Sequence, residues 1–385
     1  MDKSALFLNR RLNIQSLARK KSIFLFGARA TGKSSLLRRD FPKVQILDLL
    51  DSDLYLELSA RPSSLENFLK PEDKLVIIDE VQRIPELLNE VHRQIENKSR
   101  KFILTGSSAR KLKRGHANML AGRAWTAHLY PLSWSELPKF DLSHFLHFGG
   151  LPSVYLSDSP KEDLKSYIET YLREEIQAEG LIRKIPDFHR FLRVAALSSG
   201  QMLNFEKVAQ DSQTKPSTVR SYFEILEDTL VGYHLMPWER GKKRRVIRTP
   251  RFYLFDPGVA RALAGIRSLD PKSDLWGRSF EHFISNELKC YLSYERRDEE
   301  LCYWRSAHQL EVDFIVGDEI AIEVKTTSRP NSDDLKGLRA ILDENSWKRR
   351  LLVCNTPRAQ RVDGIEILPW EQFLTELWSG KIIGN

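Results

Sequence analysis

Two sets of residues in this sequence have the types and spacing to act on phosphate esters. Gly27-Ala28-Arg29-Ala30-Thr31-Gly32-Lys33-Ser34 fits the pattern G-x-x-x-x-G-K-[ST]. Gly27 and Gly32 let the backbone bend until its N–H groups surround an anion, Lys33 reaches the terminal phosphates, and the Ser34 hydroxyl is a ligand for Mg²⁺. An apolar run, Ser22–Phe26, precedes the loop and a helical pattern follows it, which is the context the chemistry needs. A second apolar run, Leu75-Val76-Ile77-Ile78, ends in Asp79 and Glu80. There Asp79 would hold Mg²⁺ directly or through water, and Glu80 would orient and deprotonate an attacking water. After the next run, Lys101–Thr105, come Gly106-Ser107-Ser108, with Thr105 or Ser107 placed to sense a γ-phosphate. Arg123 follows, either as an arginine finger in its own or a neighbour's site, or as an ordinary surface or capping arginine.

The order of phosphate loop, Leu75–Glu80, Ile103–Ala109 and Leu120–Arg123 resembles the AAA+ ATPases. It is similar in particular to a large prokaryotic group of AAA-type ATP-binding proteins whose C-terminal part has no assigned function. The resemblance covers about residues 10 to 370. It implies ATP and Mg²⁺ as cofactors, residues 27–34 and Asp79 around the nucleotide, and a homo-oligomer as one possible state.

The second set lies near the other end. Glu281 sits on a helical pattern, Asp313 within the strand pattern Glu311–Val316, and Glu323 and Lys325 two apart on the next strand pattern, hence on one face. Charges inside apolar strands cost several kcal/mol unless they are paired or bind something. Asp313 and Glu323 suit Mg²⁺, and Lys325 is placed to position water or stabilise developing charge, with Glu281 for a second ion or a water-bridged contact. This helix-Glu, strand-Asp, strand Glu-x-Lys order resembles the PD-(D/E)XK phosphodiesterases, with Val312 where that pattern often has proline. The resemblance implies metal-dependent cleavage of nucleic acid by Glu281, Asp313, Glu323 and Lys325. The other reading of the four residues is a stabilising charge cluster in an inactive fold.

The elements that must position these groups follow from periodicity. The N-terminal third alternates continuous apolar runs with helical patterns, as a parallel sheet covered on both faces does. Between them and the C-terminal strands lie three short helical patterns, Phe188–Leu197, Asn204–Gln210 and Ser217–Thr229, then a strand pattern at Tyr233–Met236. Arg240, Lys242, Lys243, Arg244, Arg245, Arg248 and Arg251 follow, with Glu239 the one acid among them. Three helices and a basic hairpin describe a winged helix, with Arg220 on its third helix and Lys242, Lys243, Arg244 and Arg245 at the wing tip to meet phosphates. The same module can serve instead as a protein interface. A second basic zone, Asn97–Ser135, has no acid and carries Arg100, Arg110, Lys111, Lys113 and Arg114 among its cations.

The chain has 385 residues, 41% hydrophobic and 29% charged, which excludes a disordered chain and allows two to three domains. A net charge of +8 favours a polyanionic partner. Three unclustered cysteines, no signal-peptide pattern and no long apolar stretch point to the cytoplasm and away from membranes. The expected class is α/β: a P-loop AAA+ parallel-sheet domain over 1–155, a helical winged-helix connector over 156–265, and a PD-(D/E)XK nuclease-like α/β domain over 266–385. The expected function is an ATPase coupled to a Mg²⁺-dependent nuclease, with DNA favoured as substrate. The alternative is a regulatory ATPase that binds DNA or a protein without cleavage.

Overall fold

Strands with continuous apolar runs need cover on both faces, and the first part of the chain supplies it. The computed structural model describes residues 8–108, 120, 122–172, 185–241 and 246–384. The chain divides into two units: Met1–Leu132 with Ile225–Val231, and Ser133–Glu224 with Gly232–Asn385.

In the first unit, β1 (Ser22–Phe26), β2 (Ile46–Asp48), β3 (Leu75–Asp79), β4 (Lys101–Gly106) and β5 (Ala124–His128) form one sheet in the order β2-β3-β4-β1-β5. Every neighbouring pair in it is parallel. The period-2 alternation sends Phe24, Phe26, Val76, Ile78, Phe102 and Leu104 into one core with Leu87, Leu88 and Val91 of helix Leu87–Lys98. Ile23, Leu25, Ile77 and Ile103 alternate with them and are fully buried as well. Strand β2 is shorter than its apolar run because only Ile46–Asp48 pair with β3. Parallel strands place their carboxyl ends at one edge, so the Gly27–Gly32 loop, Asp79–Glu80 and Gly106–Ser107 are gathered there.

The second unit contains helices Ile185–Leu197 and Phe205–Asp211 and the start of Pro216–Asp228. Aromatic rings lock them together: Phe191 meets Phe223 edge-on at 4.9 Å, and Phe223 meets Phe252 at 4.8 Å. Phe252 belongs to β7 (Arg251–Leu254), which pairs antiparallel with β6 (Gly232–Pro237). This pair continues a sheet containing β8 (Leu301–Arg305), β9 (Glu311–Val316), β10 (Ile320–Val324), β11 (Arg349–Cys354), β12 (Gln360–Val362) and β13 (Ile365–Pro369). Its order is β12-β13-β11-β10-β9-β8-β6-β7. The strands β8, β9 and β10 meander antiparallel, whereas β10, β11 and β13 run parallel. Helix Asp274–Tyr294 is capped by Ser273, whose side chain accepts from the Trp276 amide, and it buries Phe280, Phe283, Ile284 and Leu288. Among the described residues no helix is long and apolar enough to cross a membrane.

Candidate functional sites

At the edge of the first sheet the phosphate loop is built as its spacing requires. A side chain at Gly27 would put its Cβ 2.4 Å from the Leu129 carbonyl oxygen, and Gly32 caps helix Lys33–Asp40 with φ +93°. Thr31 Oγ1 donates to the Ala28 carbonyl at 2.8 Å, which closes the loop. The Lys33 ammonium is buried and donates to the carbonyls of Gly27 (2.7 Å) and Ala28 (3.3 Å). Arg10, which the motif does not include, latches the loop by donating to the Thr31 carbonyl at 2.7 Å and the Tyr130 carbonyl at 2.6 Å.

Ser34 Oγ donates to Asp79 Oδ2 at 2.7 Å. Its proton is thereby directed at the carboxylate, which leaves oxygen lone pairs for a cation. Thr105 donates to the other Asp79 oxygen and accepts the Glu80 amide at 3.0 Å. That hydroxyl orients Asp79 and Glu80 together. Glu80 itself lies in the left-handed region at φ +60°, a conformation that costs a non-glycine residue about 1–3 kcal/mol. Gln82 Nε2 donates to Glu80 and, at 3.2 Å, to Ser107 Oγ, while Gln82 Oε1 is buried without a partner. Gln82 is a polar participant that the linear motifs do not flag.

The second site forms on β7, β9, β10 and helix Asp274–Tyr294. Period 2 puts Glu311 and Asp313 on one face of β9, and Ile322 pairs with Phe314 one step from Glu323 and Asp313. The Val324 amide donates to Asp313 Oδ2 at 2.9 Å, and Lys325, just past β10, donates to Glu323 Oε1 at 2.5 Å. The four expected residues are therefore brought together, but with company that the sequence did not announce. Arg251, with 4% of its side chain exposed, contacts Glu281 Oε1 at 2.9 Å, Asp313 Oδ1 at 3.7 Å, and Glu311. It stacks on the Tyr303 ring at 4.7 Å. Tyr253, two residues along β7, donates to Glu281 Oε1 at 2.6 Å.

Burial governs the electrostatics. Loss of water, then the neighbouring Asp313 charge, pushes Glu281 up to about 7 and Glu323 up to about 8. Lys325 is driven the other way by the same burial, but Asp313 and Glu323 outweigh it and hold the ammonium charged. Glu323 Oε2 is buried with no hydrogen-bond partner. Such an oxygen can take a hard cation, and the neighbouring Asp313 carboxylate offers a second oxygen donor. No group of three or more His, Cys, Asp or Glu is poised as a metal cage among the described residues. The fit is therefore to an ion that takes one or two carboxylates and completes its shell with water, as Mg²⁺ does.

The remaining expected residues are dispersed. Arg123 pairs with Glu96 on the surface. Arg220 is exposed and lies over the Phe205 ring at 4.1 Å. Lys242, Lys243, Arg244 and Arg245 lie outside the described residues, as do Arg110, Lys111, Lys113 and Arg114. Arg240 and Arg248 take carboxylates, Asp318 at 2.6 Å and Glu239 at 3.0 Å. Arg100 is not part of an open basic face: it is buried and donates to Gln94 Oε1 and the Lys70 carbonyl, each at 2.6 Å.

Residues 19–138 match a family model described as an AAA domain, residues 139–270 a domain of unknown function (DUF8612), and residues 276–373 a domain of unknown function (DUF4143). An uncharacterised protein of Mycobacterium tuberculosis is 27% identical over 312 residues, 78% of this chain and 69% of that protein. An uncharacterised protein of Methanocaldococcus jannaschii is 22% identical over 357 residues, 82% of this chain and 76% of that one. The Aeropyrum pernix ORC1 protein, solved in complex with DNA, superposes with a TM-score of 0.29 at 9% identity, covering 66% of this chain and 93% of that one. The Bacillus subtilis DNA clamp loader delta protein gives 0.22 at 13%, covering 56% and 86%. At such scores these two likenesses carry no weight for this chain. The first sheet, its phosphate loop and the family match together make the N-terminal unit an AAA-type domain.

Proposed function

We propose that the chain is an ATP-hydrolysing AAA+ ATPase whose C-terminal part is a metal-dependent phosphodiesterase of the PD-(D/E)XK kind, acting on nucleic acid and on DNA first. The observation that carries the second activity is the buried, unpartnered Glu323 Oε2, on a carboxylate whose other oxygen takes Lys325 and which feels the Asp313 charge. When bound, Mg²⁺ supplies charge neutralisation at the phosphates of both sites and an acidified water at the second. At the first site Lys33 exchanges the Gly27 and Ala28 carbonyls for β- and γ-phosphate oxygens. Ser34 and Asp79 hold the cation side, and Glu80, pinned through Thr105, takes the proton of the attacking water. At the second site Lys325 stabilises charge on the scissile phosphate while Asp313 and Glu323 hold the ion. Residues 156–265, as a winged helix, would present Arg220 and the Lys242–Arg245 tip to the backbone, and Arg123 would complete a neighbour's ATP site in a cytoplasmic oligomer.

The test is cleavage of plasmid and single-stranded DNA with Mg²⁺, with and without ATP, by wild type, Lys325→Ala and Lys33→Ala. Cutting by wild type that is lost in Lys325→Ala supports the reading, and Lys33→Ala reports whether ATP controls it. A second reading is favoured by Arg251, which already neutralises Glu281 and approaches Asp313. In it the C-terminal unit binds DNA or a protein partner without cutting, and Lys325→Ala behaves as wild type in every DNA assay.

A further inference from the structure

The acidic cluster contains its own cation. Four carboxylates, Glu281, Glu311, Asp313 and Glu323, meet there. Arg251 enters from β7 between Glu281 (2.9 Å) and Asp313 (3.7 Å), and also reaches Glu311. An ion bridging Glu281 to Asp313 would need that same space. The guanidinium is not a surface side chain that has swung in. Its side chain is 4% exposed, it lies on Tyr303, and its backbone is fixed in β7, paired with Leu235 and bridged to Met202. Glu281 is further occupied by the Tyr253 hydroxyl at 2.6 Å. Glu323 Oε2, by contrast, has no partner.

We infer that Arg251 is a permanent substitute for a second metal ion, so that the C-terminal site takes one divalent cation, held by Asp313 and Glu323 and not by Glu281. This rests on the reading of that site as a metal site and refines it. Arg251 is a positioning residue: it fixes Glu281 and Glu311 and leaves Glu323 Oε2 as the buried carboxylate oxygen of the cluster with no hydrogen bond. Arginine suits the task because its charge is permanent and its planar fork can serve several carboxylates at once.

The experiment counts Mn²⁺ bound to the full-length protein without nucleotide, by titration followed by electron paramagnetic resonance. Glu323→Gln is run in parallel to mark which ions belong to this site. Wild type is expected to bind one Glu323-dependent ion, and Glu281→Gln to keep it. Arg251→Gln, which frees the space between Glu281 and Asp313, is expected to bind two. Removing the guanidinium leaves buried charges unpaired, so Arg251→Gln could fail to fold; the wild-type and Glu281→Gln counts then decide without it. Two Glu323-dependent ions in wild type overturn the inference and leave the metal-site reading standing, as does loss of the single ion in Glu281→Gln. An unchanged count in folded Arg251→Gln has the same meaning. No Glu323-dependent ion in any of the proteins overturns both.

Discussion

The phosphate loop and the acidic cluster handle charge in opposite ways. The loop is mostly backbone: its ammonium rests on two carbonyls, and its one buried carboxylate, Asp79, accepts from two hydroxyls. Those contacts can be exchanged for phosphate and cation contacts with little rearrangement. The acidic cluster is all side chain, drawn from two strands of a meander, an edge strand and a helix, and it carries more carboxylate than its hydrogen bonds can satisfy. It is balanced by Arg251 and Lys325 and still leaves one oxygen unmet. On the proposed reading, the first site is built for an anion that brings its own cation, and the second for a cation that brings its anion.

This contrast breaks most visibly if one lysine serves both sites. Lys33→Ala is expected to lower ATP turnover by about a hundredfold or more, the scale of losing a charged transition-state contact. Lys325→Ala should lower cleavage by about 10²–10³-fold and leave ATP turnover in the absence of DNA untouched. Steady-state ATPase and nicking assays on both variants separate the two; a loss of DNA-free ATP turnover in Lys325→Ala as large as its loss of cleavage would erase the distinction.

A buried carboxyl group that takes a donor on each oxygen sharpens the comparison. Glu287 accepts from the Trp134 amide at 2.7 Å and Trp378 Nε1 at 2.8 Å, and burial pushes it up to about 8. The folded protein keeps a proton that the unfolded chain releases near the ordinary value of 4.5, so stability falls as pH rises between 4.5 and about 8. Glu287→Gln removes that dependence. Its deficit relative to wild type should shrink by an amount on the order of kcal/mol between pH 5 and pH 8, measured by urea unfolding. A deficit that is constant with pH would show that Glu287 is charged throughout. The smallest effect is expected at Arg220, exposed over Phe205. Arg220→Ala should weaken DNA binding modestly and reduce the salt slope of log K by about one contact, and an unchanged slope would remove Arg220 from the nucleic-acid surface.

The loop site was legible because its parts are contiguous and follow apolar runs that can only be central strands. The β9 and β10 acids were legible for a related reason, since period 2 alone places Glu323 and Lys325 on one face. Arg251 was not. In sequence it ends a run of cations beginning at Arg240, and a run of cations reads as a surface. Only the pairing of β6 with β8 carries β7 to the edge of the acidic sheet and turns Arg251 inward. Arg100 was obscured in the same way, because its acceptors are carbonyls and an amide oxygen that no charge count reveals. The strands β11 and β13 have a signal of their own, the apolar run Leu351–Val353 and the alternating segment Ile365-Glu366-Ile367-Leu368, with no chemistry-bearing motif beside it.

The most direct test is anomalous diffraction from crystals of the full chain grown with Mn²⁺ and a non-hydrolysable ATP analogue. Two peaks are expected, one beside Ser34 at the analogue's phosphates and one between Asp313 and Glu323 with Arg251 still on Glu281. Density for the analogue with no peak at Asp313 and Glu323 would contradict a metal-using second site, and with it the central contrast between the two halves of the protein.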